Sequence, residues 1–412
     1  MFIVFRSDSR FRAIDPSPHR VENAPVTATV DLSAIRHNAQ VLQRRAGDAE
    51  LMAIIKADAY GHGMLPVARV LAEAGIHYFG VARLAEGIQL REEGHSARIL
   101  VLGAPVPARV PQYVHYDLDL TVPSADVAAA VMRHARPDAS VRAQVLVDTG
   151  MGRLGLSPED APAVVSRLAE PPGVTLAGLW THFATADAPG STFAETQLDR
   201  FKAVVDKIDV PLQHVHAANT GALLTIGEPS YDFSPSLVRS GIALYGLAAT
   251  SDLGTRLDLR PAMQLTARVT QLKTVSAGTP ISYGAHWQAS QRTRIATLGV
   301  GYGDGYPRLC SGRASVHLGG TSCPVVGTIC MDMCMVNLGP PDRAPASHVE
   351  VGDEALLFGP SGPTVYDVAQ WSDTIPYEIC AGVSPRVPRR HVATSDGSET
   401  VSAAPRPRKS ER

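Results

Sequence analysis

LMAIIKADAYGHGMLPVARVLAEA, residues 51–74, passes from a short apolar run into a lysine, then a turn-rich ADAYGHG, then an amphipathic stretch from Met64 to Ala74. That order of strand, turn and helix is one βα unit. The rhythm recurs downstream in YFGVA (78–82), ARILVLG (97–103), LDLTV (118–122), VRAQVLVD (141–148), TLAGLWTHF (175–183), LQHVHAAN (212–219) and LVRSGIALYG (237–246). With LMAIIK (51–56) these make eight strand candidates. Amphipathic stretches such as Ser191 to Lys207 lie between them, and Ser124 and Ser157 stand where helix N-caps would. Eight such units predict an α/β fold of the (β/α)8 TIM type rather than an open doubly wound sheet.

After about Thr250 the pattern changes to closely spaced β runs, QLTARVTQLKTV, RIATLGVGY, SVHLGGTSCPVVG, CMVNLG and EALLFG, separated by Gly and Pro turns. The expected division is therefore an arm over 1–25, a barrel over 26–250, an all-β domain over 251–391, and a Ser-, Pro- and Arg-rich disordered tail over 392–412.

At 412 residues and 45% hydrophobic, the chain can bury large cores. Lys+Arg 38 against Asp+Glu 40 leaves a net charge of −2, so nucleic acid is not an expected partner. Arg6, Asp8, Arg10 and Arg12 break up the apolar start before a signal-like run forms. No stretch reaches the roughly 18 uninterrupted apolar residues of a membrane helix, and the expectation is a cytoplasmic protein. The five cysteines all lie in the last quarter without paired CxxC spacing, which predicts free thiols and no metal site.

In a barrel, reactive groups sit at the C-terminal ends of the strands. Lys56 closes an apolar strand and enters a turn. Burial there would strip its hydration and favour the neutral amine, the form that can condense with a carbonyl.

AIIKADAYGHG (53–63) resembles the cofactor-lysine motif of the alanine racemases. DTGMGRLG (148–155), THFATAD (181–187), HAANT (216–220), VRSGIALYG (238–246), ISYGAHW (281–287), GYGDGYPR (301–308), GTICMDM (327–333) and IPYEIC (375–380) are similar to further motifs of that family, in its order. What the resemblance implies is a pyridoxal 5′-phosphate (PLP) barrel plus a β domain, acting as a head-to-tail homodimer that interconverts L- and D-alanine and supplies D-alanine for peptidoglycan. By the same resemblance Lys56 holds PLP and is one of two proton-transfer bases. Tyr283 of the partner subunit is the other. One base per face is what inversion requires.

A phenol serves as a base near neutral pH only if its neighbours favour the phenolate, and the resemblance makes His182 and Arg239 that link. It also places Arg239 against the pyridine nitrogen, where a permanent charge opposes protonation and limits electron flow into the ring. Barrels hold phosphate near the loops after strands seven and eight, where Asn219, Thr220, Gly221, Gly241 and Ile242 lie; Tyr60 and Tyr377 match tyrosines that reach the same phosphate. Arg153 matches the arginine that holds the ring hydroxyl and the substrate carboxylate, while Tyr302, Met331 and Asp332 match residues of the substrate entrance. One position departs from the pattern. Many family members carry a carbamylated lysine where this chain has Leu146, so either another anion, such as Asp148, Asp332 or chloride, braces Arg153 or the site is looser.

Three rival functions remain open at this level. A PLP decarboxylase would need an acidic partner for the pyridine nitrogen, and a non-catalytic PLP-binding barrel protein would lack the β domain and Tyr283. A broader-specificity amino-acid racemase differs only in its side-chain pocket, where a methylene is worth about 1–3 kcal/mol.

Overall fold

The structure is a computed structural model that describes residues 24–188, 190–225, 237–395 and 398–401. Most of the expected arm (1–25) and the tail from 402 onward lie outside the described residues.

Eight parallel strands form one sheet: β2 (Glu50–Ile54), β3 (Tyr78–Val81), β4 (Arg98–Val101), β5 (Asp119–Val122), β6 (Val141–Leu146), β7 (Val174–Trp180), β8 (Val215–His216) and β9 (Leu237–Ser240). Their order is β8-β7-β6-β5-β4-β3-β2-β9. At the remaining seam the Arg239 amide donates to the Ala218 carbonyl at 3.1 Å, so the sheet closes into the expected barrel. β3 and β5 are buried at every residue, as strands covered on both faces must be; β3 reads as an apolar run, while β5 carries Asp119 and Thr121 among its buried residues.

The helices follow their local signals. Met64–Glu73 and Phe193–Val205 occupy the expected stretches, and Ser124 caps the helix Ala125–His134 by accepting from the Val127 amide. Ser157 does not cap directly. Its hydroxyl accepts from Asp160 N at 3.0 Å, and the helix Ala161–Ala169 starts one turn later with Pro162 in its first turn.

The second unit is built on β10 (Met263–Val275), whose 13 residues pair with three other strands. With β13 (Thr293–Leu298), β14 (Ser315–Leu318), β15 (Thr321–Val326), β16 (Cys334–Gly339) and β17 (Glu354–Phe358) it runs in the order β13-β16-β15-β14-β17-β10, and β10 pairs back onto β13 across a bulge at Val269/Gln271. The result is a closed antiparallel β barrel. Two short helices, Val365–Trp371 and Pro376–Ala381, follow β17 and turn back towards the first barrel.

Two strands cross the expected domain limits. β1 (Val26–Asp31), placed by the sequence at the head of the first barrel, pairs instead with β10 and with β18 (Arg389–Ser395). Its alternating VTATVD suits either sheet, and only tertiary pairing decides. β18 runs past Val392 and pairs with β19 (Ser398–Val401), so the stretch expected as tail begins inside the sheet.

Gly246 ties the two units together. It stands at φ +80° where the chain leaves the first barrel, and a Cβ there would lie 1.9 Å from the Arg260 carbonyl oxygen. Next to it, Ala262 N donates to Tyr245 O, and Asp31 N to Ala262 O. Gly246→Ala therefore meets both a conformational and a steric penalty. Gly94→Ala, at φ +83° with open space around its Cβ, meets only the first. The expected losses are about 1 kcal/mol for Gly94→Ala and at least about 3 kcal/mol for Gly246→Ala, read as shifts of the urea unfolding midpoint.

Candidate active site

The chain leaves β2 and immediately takes an unusual course. Ala57, Asp58, Ala59 and Tyr60 all have φ between +53° and +55°, one turn of left-handed helix. Each such residue costs roughly 1–2 kcal/mol, so the turn needs external support. Glu86 accepts from Ala57 N at 2.7 Å, and the Asp58 carboxylate accepts from Met64 N at 2.7 Å. His62 Nδ1 reaches back to the carbonyls of Ala59 and Tyr60, both at 3.0 Å. Small side chains at 57 and 59 limit the clash that this conformation brings.

The turn sets Lys56 at the mouth of the barrel with its Nζ 5.9 Å from the centre of the Tyr60 ring. Burial and the Arg153 charge lower the lysine's pKa, opposed in part by Glu86. The neutral amine is thus favoured.

A cavity of about 480 Å³ opens there, and all ten residues expected to hold the cofactor line it: Lys56, Tyr60, Arg153, His182, Asn219, Thr220, Arg239, Gly241, Ile242 and Tyr377. They come from β2, β6, β7, β8 and β9 with their loops, and from the helix Pro376–Ala381 of the second unit. At one end Gly241 N donates to Thr220 Oγ1 at 2.9 Å, and a Cβ on Gly241 would lie 2.5 Å from the Tyr60 hydroxyl, so only glycine fits. The Tyr60 and Tyr377 rings are 6.1 Å apart. Burial raises the pKa of both phenols, which stay protonated and able to donate. Asn219 serves the loop: its Oδ1 accepts from Ala222 N and its Nδ2 donates to Phe183 O.

Arg239 forms the floor. It is buried, donates to the carbonyls of Thr181 (2.8 Å) and Ala217 (2.9 Å), and holds His216 Nδ1 at 2.7 Å and His182 Nδ1 at 3.4 Å. Trp180 lies beneath the guanidinium, 5.0 Å from ring centre to Cζ. Burial, then the charges of Arg239, Arg153 and Lys56, push His182 down to about 3, so it is neutral at physiological pH.

The residues expected from the β domain lie elsewhere. Tyr283, Tyr302, Met331 and Asp332 do not line the cavity of their own chain. They form a second cluster: Thr328 Oγ1 donates to Tyr283 O, Tyr302 N donates to Cys330 O, and Arg386 pairs with Asp332 at 2.8 Å. Tyr283 is 73% exposed and Met331 54%, which leaves both available to a neighbouring molecule.

Leu146 is buried in the cavity wall, as its side chain dictates. Asp148 is engaged by the amides of Gly150 and Gly152 at 3.0 and 3.1 Å, and Asp332 by Arg386. Among the described residues, neither of these carboxylates pairs with Arg153.

Gln144 and His216 are the site's unannounced members. Both are fully buried, and His216 sits directly behind Arg239. The available signal was a polar residue within an otherwise apolar barrel strand, a position that has to be hydrogen-bonded. All five cysteines are free, four of them buried. Among the described residues, no group of His, Cys, Asp or Glu could hold a metal, and no helix is long and apolar enough to cross a membrane.

Comparison with known proteins gives a single answer. Residues 30–249 match the family model for the alanine racemase N-terminal domain and 262–391 that for the C-terminal domain. Alanine racemases from Halothermothrix orenii and Desulforamulus reducens are 39% and 40% identical over 377 residues, covering 89% of this chain and 97% and 99% of theirs. Among solved structures, alanine racemase from Streptomyces lavendulae matches at TM-score 0.80 and 36% identity, over 90% of this chain and 98% of that one. That of Clostridium difficile matches at 0.83 and 33%, over 91% and 97%. With both of its domains matched and the fold shared throughout, the chain belongs to the alanine racemase family.

Proposed function

We propose that this chain interconverts L- and D-alanine with PLP held on Lys56, as a homodimer whose two active sites are each completed by the partner subunit. The observation that carries the reading is the meeting of a lysine with a lowered pKa and a buried arginine in one cavity. The relatives' shared activity supports alanine as substrate. In this reading the enzyme works in the cytoplasm and supplies D-alanine for peptidoglycan.

The residues present fit the cofactor. The cavity's size is that of a small-cofactor site. Thr220 accepts from Gly241 and so keeps its own proton for a ligand, and with the protonated Tyr60 and Tyr377 it offers three hydroxyls to a phosphate. Arg239 would face the pyridine nitrogen and keep it unprotonated. A decarboxylase would present an acidic group there, and a non-catalytic barrel protein would not carry the second unit.

When bound, PLP delocalises the electron pair left at the substrate Cα after proton removal. Lys56 Nζ takes or returns the Cα proton on one face. The Tyr283 hydroxyl of the partner subunit does so on the other, entering through the mouth that its own chain's Tyr283 does not reach. Neutral His182 accepts from Arg239 through Nδ1, which leaves Nε2–H to donate to that phenolate and hold it. Arg153 orients the substrate carboxylate. Tyr302, Met331 and Asp332 of the partner subunit border the entrance.

Four measurements test this. Borohydride reduction of the PLP-loaded protein and peptide mapping should leave a pyridoxyl group on Lys56, and a label on another lysine would refute the assignment. A panel of L-amino acids should show alanine racemised fastest.

Tyr283→Phe removes the base from one face only. Solvent-deuterium exchange at Cα should fall by about 10²-fold or more for L-alanine and far less for D-alanine, since in the family the tyrosine serves the L face. Equal losses would contradict the two-base assignment.

Lys56→Ala and Tyr283→Phe chains, each inactive alone, should complement when refolded together. About half of a random mixture is hybrid dimer, and two-fold symmetry gives each hybrid one intact site, so activity should return to roughly a quarter of wild type per site. Verified hybrids that stay inactive would overturn the shared site.

A further inference from the structure

Behind Arg239 a line of buried polar side chains crosses the first barrel. Arg239 Nη1 lies 2.7 Å from His216 Nδ1, His216 Nε2 lies 2.8 Å from Gln144 Oε1, and Gln144 Nε2 lies 2.9 Å from Asp119 Oδ2. His216, Gln144 and Asp119 are all fully buried. The line runs from β9 through β8 and β6 to the first residue of β5, at the end of the barrel opposite the cavity.

The imidazole and the amide in the middle could each be arranged in two ways. The ends cannot. A guanidinium only donates and a carboxylate only accepts. Asp119 receives the Tyr78 hydroxyl at 2.5 Å, Arg142 Nε at 2.5 Å and Arg98 Nη2 at 3.1 Å, so it is saturated with donors and tied to two cations. Gln144 must then turn its NH2 towards Asp119 and its carbonyl towards His216. His216 must carry its proton on Nε2 and offer the Nδ1 lone pair to Arg239. Burial and the Arg239 charge hold its pKa well below the usual histidine value, in keeping with a neutral ring. Every proton along the line points towards Asp119. With the amide reversed, Gln144 would present N–H to His216 Nε2, the ring would take its proton on Nδ1, and that N–H would meet a guanidinium N–H, donor against donor.

We propose that Asp119 is a positioning residue for the active site: through Gln144 it adds to the demand of Arg239 for an acceptor, so that the His216 tautomer that holds the guanidinium in place is set from both ends of the line. A charge cluster at this end of a barrel ordinarily serves stability alone. What separates this one is its polarity, which a cluster serving only stability would not need. The effect on rate rests on the reading of Arg239 as the group beside the cofactor. The tautomer does not.

The test uses holoenzyme labelled with ¹⁵N-histidine, with the His216 signals assigned by comparison with His216→Gln. Long-range ¹H–¹⁵N correlations should show the wild-type proton on Nε2 alone. Asn at 119 can donate as well as accept, which leaves Arg239 alone to oppose the reversed line, so Asp119→Asn should populate the Nδ1–H form in part, push the guanidinium off its place and lower kcat between about ten- and a hundredfold, with KM moving far less. Should Asp119→Asn fail to fold, the double variant Asp119→Asn/Arg142→Met, which removes a counter-charge along with the carboxylate, reads the same resonance. A folded variant whose His216 stays wholly Nε2–H overturns the proposal, whether or not kcat has fallen. A wild-type enzyme with the expected tautomer and no racemase activity would count against the proposed function and leave this inference standing.

Discussion

A guanidinium inside a barrel is the constraint around which this molecule is arranged. Removing an arginine from water costs several kcal/mol unless its donors are met. Arg239 meets them with the Thr181 and Ala217 carbonyls and the ring nitrogens of His216 and His182, all from the two strands before its own or their ends. The same residue's backbone amide makes the bond that closes the seam between β8 and β9. Barrel closure and the floor of the cavity are thus one event. Displacing Arg239 would open the sheet and unmake the site together.

At the mouth, the second device is conformational. Four successive residues in the left-handed region raise the energy of the segment after Lys56, and the molecule offsets this with hydrogen bonds made by the Ile55 carbonyl and by the side chains of Glu86, Asp58 and His62. The outcome is positional. A right-handed turn would carry Tyr60 elsewhere, whereas here its hydroxyl reaches the space that Gly241 leaves open by having no side chain. Local strain of this kind persists where the surroundings over-determine it, and a cofactor site is such a place.

How much of this could be read beforehand depended on the range of the physics involved. The eight barrel strands were legible because short β-branched apolar runs alternate with amphipathic stretches, even though β5, β6, β8 and β9 each carry buried polar residues, and Lys56 because a lysine closing such a run is out of place. The left-handed turn was not. ADAYGHG signals a turn through Gly61 and Gly63, but nothing in it specifies the hand of residues 57–60. β1 falls inside the 26–250 range expected for the first barrel because nothing local to VTATVD marks it for the other sheet, and its partners in β10 and β18 lie more than two hundred residues away. Gln144 and His216 passed unremarked inside β6 and β8, since a buried polar side chain has meaning only once its partner is known. The ten cavity residues were grouped by family resemblance rather than by periodicity, and it was the fold that brought them within reach of one another.

The exposed cluster on the β domain follows from the same geometry. Lys56, Arg239 and the hydroxyl group around Thr220 take up one wall, the floor and one end of the cavity, and Leu146 closes more of the wall with a side chain that has no proton to give. In the proposed function the second base comes to the side facing Lys56 through the open mouth. Within one chain Tyr283 stands outside the cavity, with Tyr302, Leu309, Met331 and Met333 also exposed on its unit. Ile375, beside the cavity, is 53% exposed as well. In the proposed homodimer a two-fold axis would bring the Tyr283 cluster of each chain to the cavity mouth of the other, in pairs. Inversion at carbon asks for a proton donor on each face, and in the proposed dimer the partner subunit's Tyr283 would supply the second.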